Sequence, residues 1–121
     1  MDPEITLKEI KSQIFVKTSF EGYHRYLDAP DEVFYLRSFH RHIFHVTVII
    51  DVFHNDRDIE FHLFKKFVNG IIKDNDFDCK SCEAIIDDLA EAIALKYPNR
   101  GMTISVSEDG ENGAIKTFVA E

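Results

Sequence analysis

Only two cysteines occur in the 121 residues, Cys79 and Cys82. A lone Cys-x-x-Cys lacks the second pair of a structural zinc site and the strand context of a thioredoxin-like motif, so both are expected as reduced thiols around a helix start. No internal repeat and no low-complexity run is present, and the few punctuating residues fall between periodic stretches. No apolar run approaches the roughly 20 residues of a membrane span. The opening Met1-Asp2-Pro3-Glu4 lacks the basic-then-apolar order of a secretory signal, which sets the expectation of a cytoplasmic protein with no membrane partner. Positive charge is also in deficit, with 14 Lys and Arg against 22 Asp and Glu and a net charge of -8. Such a surface repels a phosphate backbone at long range and argues against nucleic acid as a partner, while a local basic cluster can still hold a small anion.

What is present suffices for one core. A hydrophobic fraction of 45% over this length fits a single domain spanning residues 1–121. Ile14 to Tyr26 and His40 to Phe53 are rich in β-branched and aromatic residues. The second alternates, placing His40, His42, Phe44, Val46, Val48 and Ile50 on one face. Both read as strands, joined by a loop around Asp28-Ala29-Pro30-Asp31. From Ile59 to Asn75 the residues Phe61, Phe64, Phe67, Val68, Ile71 and Ile72 recur at helical spacing. A second helix is expected from Ser81 as N-cap, with an inward stripe of Ile85, Leu89, Ile93 and Leu95, stopping before Pro98. Met102 to Glu108 and Ala114 to Ala120 alternate across a turn rich in Asp, Asn and Gly and read as an antiparallel hairpin. The expected class is α+β, a β-β-α-α-β-β order with two helices on one face of an antiparallel sheet.

The spacing of two in His40-Arg41-His42 puts both imidazoles on one strand face, where they can converge on a cation. His24, near the end of the preceding strand, can supply a third ligand, and three histidines with an open position are how a catalytic zinc is held. The alternative is a set of core-facing imidazoles satisfied by backbone or carboxylate groups. Arg37, Arg41 and Arg57 are candidate phosphate clamps, because guanidinium forks match phosphate oxygens. Surface pairing with Asp51, Asp56, Asp58 or Glu60 is the competing role for them. Glu108, at the tip of an apolar strand face, can accept two N–H donors from a guanine-like or pterin edge. The glycines of the Asp109 to Gly113 turn are candidates for an anion-binding nest, and Asn112 within it is a candidate ligand contact. Tyr23, Tyr26, Phe34, Tyr35 and Phe39 are numerous enough near the loop to stack on a base.

Together these motifs resemble the 6-pyruvoyl and 6-carboxytetrahydropterin synthase family, whose pattern is Phe-x-x-x-His followed by His-Gly-His on the next strand. The carry-over runs from Phe20 to His24 and to His40 and His42, with Arg41 standing where the family has glycine. Ile59-Glu60-Phe61 stands where the family has Asp-Phe, and Ser81-Cys82-Glu83 where it has Thr-Ser-Glu. Glu108 matches the family glutamate that grips the pterin. The resemblance implies zinc on His24, His40 and His42, the tunnelling fold, and subunits joined through their sheets into an oligomeric barrel, commonly a hexamer. Two departures bear on activity. Val33 to Phe39 contains no cysteine where the family has its nucleophile, and Lys73 to Asp78 contains no histidine where the family has an Asp-His pair. Without those agents, proton abstraction next to a carbonyl loses its main catalysts. The motifs Phe-Glu-Gly-x-His, Leu-Arg-x-x-His-Arg-His and Glu-Asp-Gly-Glu-Asn-Gly-Ala also resemble phage-encoded small proteins of this kind. The expectation is a non-catalytic binder of a nucleotide-derived small molecule, an anti-defence sponge for cyclic nucleotide or cyclic ADP-ribose signals in the host cytoplasm. A zinc-dependent lyase, with His45, His54 or His62 replacing the lost pair, is the alternative. A third reading is an assembly protein with a vestigial site.

Overall fold

A computed structural model of the chain describes residues 2–77 and 79–121. Four strands, β1 (Gln13–His24), β2 (His40–Asp51), β3 (Met102–Glu108) and β4 (Asn112–Phe118), form one antiparallel sheet in the order β1-β2-β3-β4. Two helices, α1 (Phe61–Asp74) and α2 (Cys82–Lys96), lie between β2 and β3 in the chain. A 3₁₀ segment, Asp31–Arg37, occupies the connection from β1 to β2 that was expected as a plain loop; it is interrupted at Val33, whose φ and ψ are not helical. The class is therefore α+β, with an extra short helical element in the predicted order.

Strand pairing fixes which side chains share a face. Val16 stands opposite Val48, Phe20 opposite Phe44 and His24 opposite His40. Across the next interface Val48 faces Ile104 and Phe44 faces Glu108. Because side chains alternate along a strand, the even-numbered residues of all four strands point to one side. That side carries Phe44, Val46, Val48, Ile50, Ile104 and Val106, none more than 1% exposed. The helices cover it, α1 against β1 and α2 against β3 and β4.

Each helix forms for a local reason. The Glu60 side chain caps α1 by accepting from the backbone N–H of His62 and Leu63, and Phe64, Val68 and Ile71 form its buried stripe. Phe61, one residue into the helix, is half exposed and lies off that stripe. The Ser81 hydroxyl caps α2 by accepting from Ala84 N–H, and Ile85, Ile86, Leu89 and Ile93 are fully buried. Burying each such side chain contributes about 1.5–3 kcal/mol. Leu95 is 81% exposed and does not belong to the inward stripe. Two residues after Ile93 it is rotated by about 200° around the helix axis.

Among the described residues, no element covers the odd-numbered face of the sheet, where Phe15, Tyr23 and Ile115 are exposed. No helix among the described residues is long and apolar enough to cross a membrane.

Candidate metal and ligand site

Three strand ends meet at one end of the sheet. His24 closes β1, His40 opens β2 directly opposite it, and Glu108 closes β3 beside Phe44 of β2. His42, two residues into β2, joins them on the same face, so the alternation of the strand gathers all three imidazoles as the sequence indicates. One candidate ligand atom from each of His24, His40 and His42 lies within 4.8 Å of the others, which makes the cluster able to hold a metal ion. Phe44 forms its floor, with ring centroids 5.2 Å from His24 and 5.9 Å from His42, and is itself stacked on Phe20 at 5.0 Å.

The second nitrogen of each ring is anchored. Nδ1 of His24 is 3.2 Å from the Lys80 carbonyl oxygen, Nδ1 of His40 is 2.9 Å from that of Ser38, and Nδ1 of His42 is 2.6 Å from Asp109 Oδ2. Carbonyl and carboxylate oxygens only accept, so in the neutral rings each Nδ1 carries the hydrogen and each Nε2 keeps its lone pair. This is how metal-binding histidines are oriented: an outer partner on one nitrogen fixes the ring and raises the basicity of the other. Nε2 of His42 is buried and makes no hydrogen bond. His24 is 7% exposed, which is low for a polar side chain without a structural reason to be there.

Asp109 supports His42 through an unusual backbone. It lies at φ 56, in the left-handed region that side-chain-bearing residues seldom occupy, and Gly110 follows at φ 73. Its N–H donates to the Ile43 carbonyl at 2.7 Å, while its carboxylate accepts from Ile43 N–H at 2.8 Å and from His42. Those two bonds, that to Ile43 first, hold its carboxyl below the usual carboxylate range. Strand alternation alone sends the residue after Glu108 to the opposite face. The left-handed turn brings it back, which is why Asp109 carries no signal as a site residue in the sequence.

Beside the histidines opens a cleft of about 610 Å³ lined by His24, His40, Tyr26, Cys82, Glu108 and Asn112, among others. The first turn of α2 forms one wall of it, and Gly113 another part. A Cβ on Gly113 would stand 2.3 Å from the Val106 carbonyl oxygen, so glycine is required for β4 to approach β3 at this rim. Cys82 is a poor nucleophile here: burial first, then the charges of Glu108 and Glu83, push its thiol up to about 11. Lys80 at the same rim is paired with Asp88.

Glu108 and Asn112 are thus placed with the three histidines, and the three arginines are not. Arg37 donates from Nε and Nη2 to the Ala29 carbonyl at 2.8 and 2.6 Å and pairs with Asp31, pinning the 3₁₀ segment. Arg41 has an odd number in β2, points to the opposite face, and is paired with Glu21 at 2.7 Å. Arg57 pairs with Asp56 in the turn beyond the far end of β2. His45 is on the odd-numbered face, and His54 and His62 lie in or after that same far turn.

No protein-family model matches this sequence, and no curated protein is significantly similar to it.

Proposed function

We propose that this chain is a zinc-centred binder of a small nitrogen heterocycle of the nucleotide-derived or pterin kind, and that it holds its ligand without converting it. One observation carries this reading: three imidazoles converge beside a cleft, one candidate ligand atom of each within 4.8 Å of the others, and every Nδ1 is held by an oxygen. His24, His40 and His42 would hold the ion. Zinc on three imidazoles supplies an open coordination position and a local positive charge for a ligand heteroatom. Glu108 stands ready to accept N–H donors of the heterocycle, and Asn112 and Tyr26 line the same cleft.

Retention without turnover follows from what the cleft offers. The buried Cys82 thiol stays protonated at neutral pH. Of the histidines considered as substitutes for an acid-base pair, His45 faces away and His54 and His62 are at the other end of β2. Holding a nucleotide-derived signal intact is what a phage anti-defence sponge does in its host's cytoplasm, and that is the setting in which we place this chain. Self-association fits the sheet. β1 and β4 run in opposite directions at its two edges, so the edge of one copy can pair antiparallel with the other edge of the next, building the barrel and hexamer that the family resemblance implies.

A second reading, a zinc-dependent lyase of the tetrahydropterin synthase kind, is favoured by the carboxylate of Glu108 lying 3.1 Å from His24 Nε2, where it can take up a proton near the ion. The deciding experiment quantifies zinc in the purified protein and analyses by mass spectrometry the molecules released on heating after incubation with nucleotides, cyclic nucleotides and pterins. Stoichiometric zinc with one compound retained and returned unchanged is the expected result. A chemically altered pterin or deazapurine would establish the lyase, and absence of both zinc and retained ligand would sink the two readings together.

A further inference from the structure

Glu108 is in an electrostatically unsatisfactory position unless a cation is present. Its Oε1 is 3.1 Å from His24 Nε2 and its Oε2 is 3.4 Å from His42 Nε2. Because the Nδ1 atoms of both rings are occupied by acceptors, the two Nε2 atoms of neutral imidazoles present lone pairs to the carboxylate, acceptor against acceptor. Such a contact is stable only with positive charge between the groups. A metal ion among the Nε2 atoms provides it for the whole cluster at once, whereas a proton on one imidazole serves only that ring's contact. The side chain is 29% exposed and stands at the end of a strand on the wall of the cleft, where an arriving ligand can reach it.

We propose that Glu108 is an exchangeable fourth metal ligand, which closes the three-histidine site while the cleft is empty and leaves the ion to grip an arriving ligand's N–H groups. This rests on the metal reading of the histidine cluster and adds regulation to it. A carboxylate completes tetrahedral coordination as well as water does and adds negative charge opposite the ion. With Glu108 in place the ion is held by four protein groups, as in a closed structural site. When a heterocycle offers N–H donors, the same carboxylate is drawn off by charge-assisted hydrogen bonds, and the vacated position accepts a ligand heteroatom. Ligands without such donors are then refused, because they cannot detach the carboxylate. Selection at this site is therefore made partly by competition between the protein's own side chain and the newcomer.

The test uses Co(II), whose visible spectrum reports ligand number, with azide as a probe of the open position. Co(II) affinity and azide affinity are measured on the full chain, on Glu108→Gln and Glu108→Asp, and on Glu111→Gln as a control for charge in the same turn. In Glu108→Gln, Co(II) affinity is expected to fall by at least the roughly tenfold to hundredfold that loss of an outer-shell partner costs. Azide should bind more tightly to the same variant and change its spectrum. Glu108→Asp, which keeps the charge with a shorter reach, should fall between, and Glu111→Gln should match the parent protein. A general loss of folding would lower both affinities, so their movement in opposite directions is specific to a displaced ligand. Co(II) binding with unchanged affinity and azide response in Glu108→Gln overturns the fourth-ligand role and leaves the three-histidine site standing. Absence of Co(II) binding in the parent protein overturns both.

Discussion

His42 and Asp109, 67 residues apart in the chain, are joined by a 2.6 Å contact between Nδ1 and Oδ2. The carboxylate is committed to that orientation by the left-handed backbone at Asp109 and by its second bond to Ile43 N–H. Substituting Asp109→Asn keeps a residue that tolerates the left-handed region but removes the charge. Zinc affinity is expected to drop roughly tenfold to hundredfold, the range seen when an outer-shell partner of a metal-binding histidine is lost. Competition with a chromophoric chelator measures it, and affinity equal to that of the parent protein would show that Asp109 serves the turn alone.

The thiols should separate kinetically. Cys79 is exposed and Cys82 is buried, with its thiol pushed up to about 11. A disulfide reagent at pH 7.5 is expected to titrate one thiol rapidly and the second only when denaturant is added. Two fast thiols would mean that Cys82 is accessible and ionisable, which would reopen nucleophilic chemistry in the cleft.

Acid stability should depend on Asp58. Arg100 first, and then Phe53 N–H, hold its carboxyl down to about 2. The folded state therefore binds this proton more weakly than the unfolded chain, whose carboxyl titrates near the ordinary value of 3.8. The stabilisation is complete above that value, fades as pH falls from about 3.8 towards about 2, and is absent below. Asp58→Asn should lower the melting temperature by several degrees at pH 7, with the gap to the parent protein closing across that window. A gap independent of pH would mean that the Arg100 pair contributes through packing rather than charge.

At the rim of the cleft, Gly113→Ala is expected to cost stability, because the added methyl meets the Val106 carbonyl oxygen and the Ser107 backbone rather than a movable side chain. We expect about 1–3 kcal/mol, the usual range for forcing extra volume into a packed position. Urea denaturation gives the value. A cost below about 0.5 kcal/mol, the scatter of neutral surface substitutions, would show that β4 can shift away from β3 without penalty.

What the sequence made legible and what it hid divide along physical lines. The histidine cluster was legible because it depends only on strand alternation and on pairing of two adjacent strands, and both follow from the pattern of His40 to Ile50. Glu108 followed from the same logic at the end of its strand, whereas Asn112 reads in the sequence as part of the turn and in fact opens β4 opposite Glu108. The arginines were a different case. Arg37, Arg41 and Arg57 suit phosphate chemically, but each has a carboxylate neighbour brought near by local geometry, and a one-dimensional reading cannot tell which of several acidic residues will reach them. Arg41 even stands between two site histidines in the chain, and the same alternation that unites His40 and His42 sends it to the opposite face. The 3₁₀ segment escaped notice because its turns are short and carry no periodic stripe, with none of its residues buried. Leu95 and Phe61 show the limit at helix ends, where an apolar residue fits a stripe by count and misses it by angle.

The histidine site also draws on parts of the chain that are far apart in sequence. Its ligands and their anchors come from β1, β2, the approach to α2 and the β3–β4 turn, and the contacts that join them span 56 and 67 residues. No fragment that lacks the closing hairpin contains Asp109 or Glu108, so a nascent or partly unfolded chain offers a metal ion only loose histidines. An ion bound there would therefore favour the finished sheet over partly folded chains, and its binding would report completed assembly.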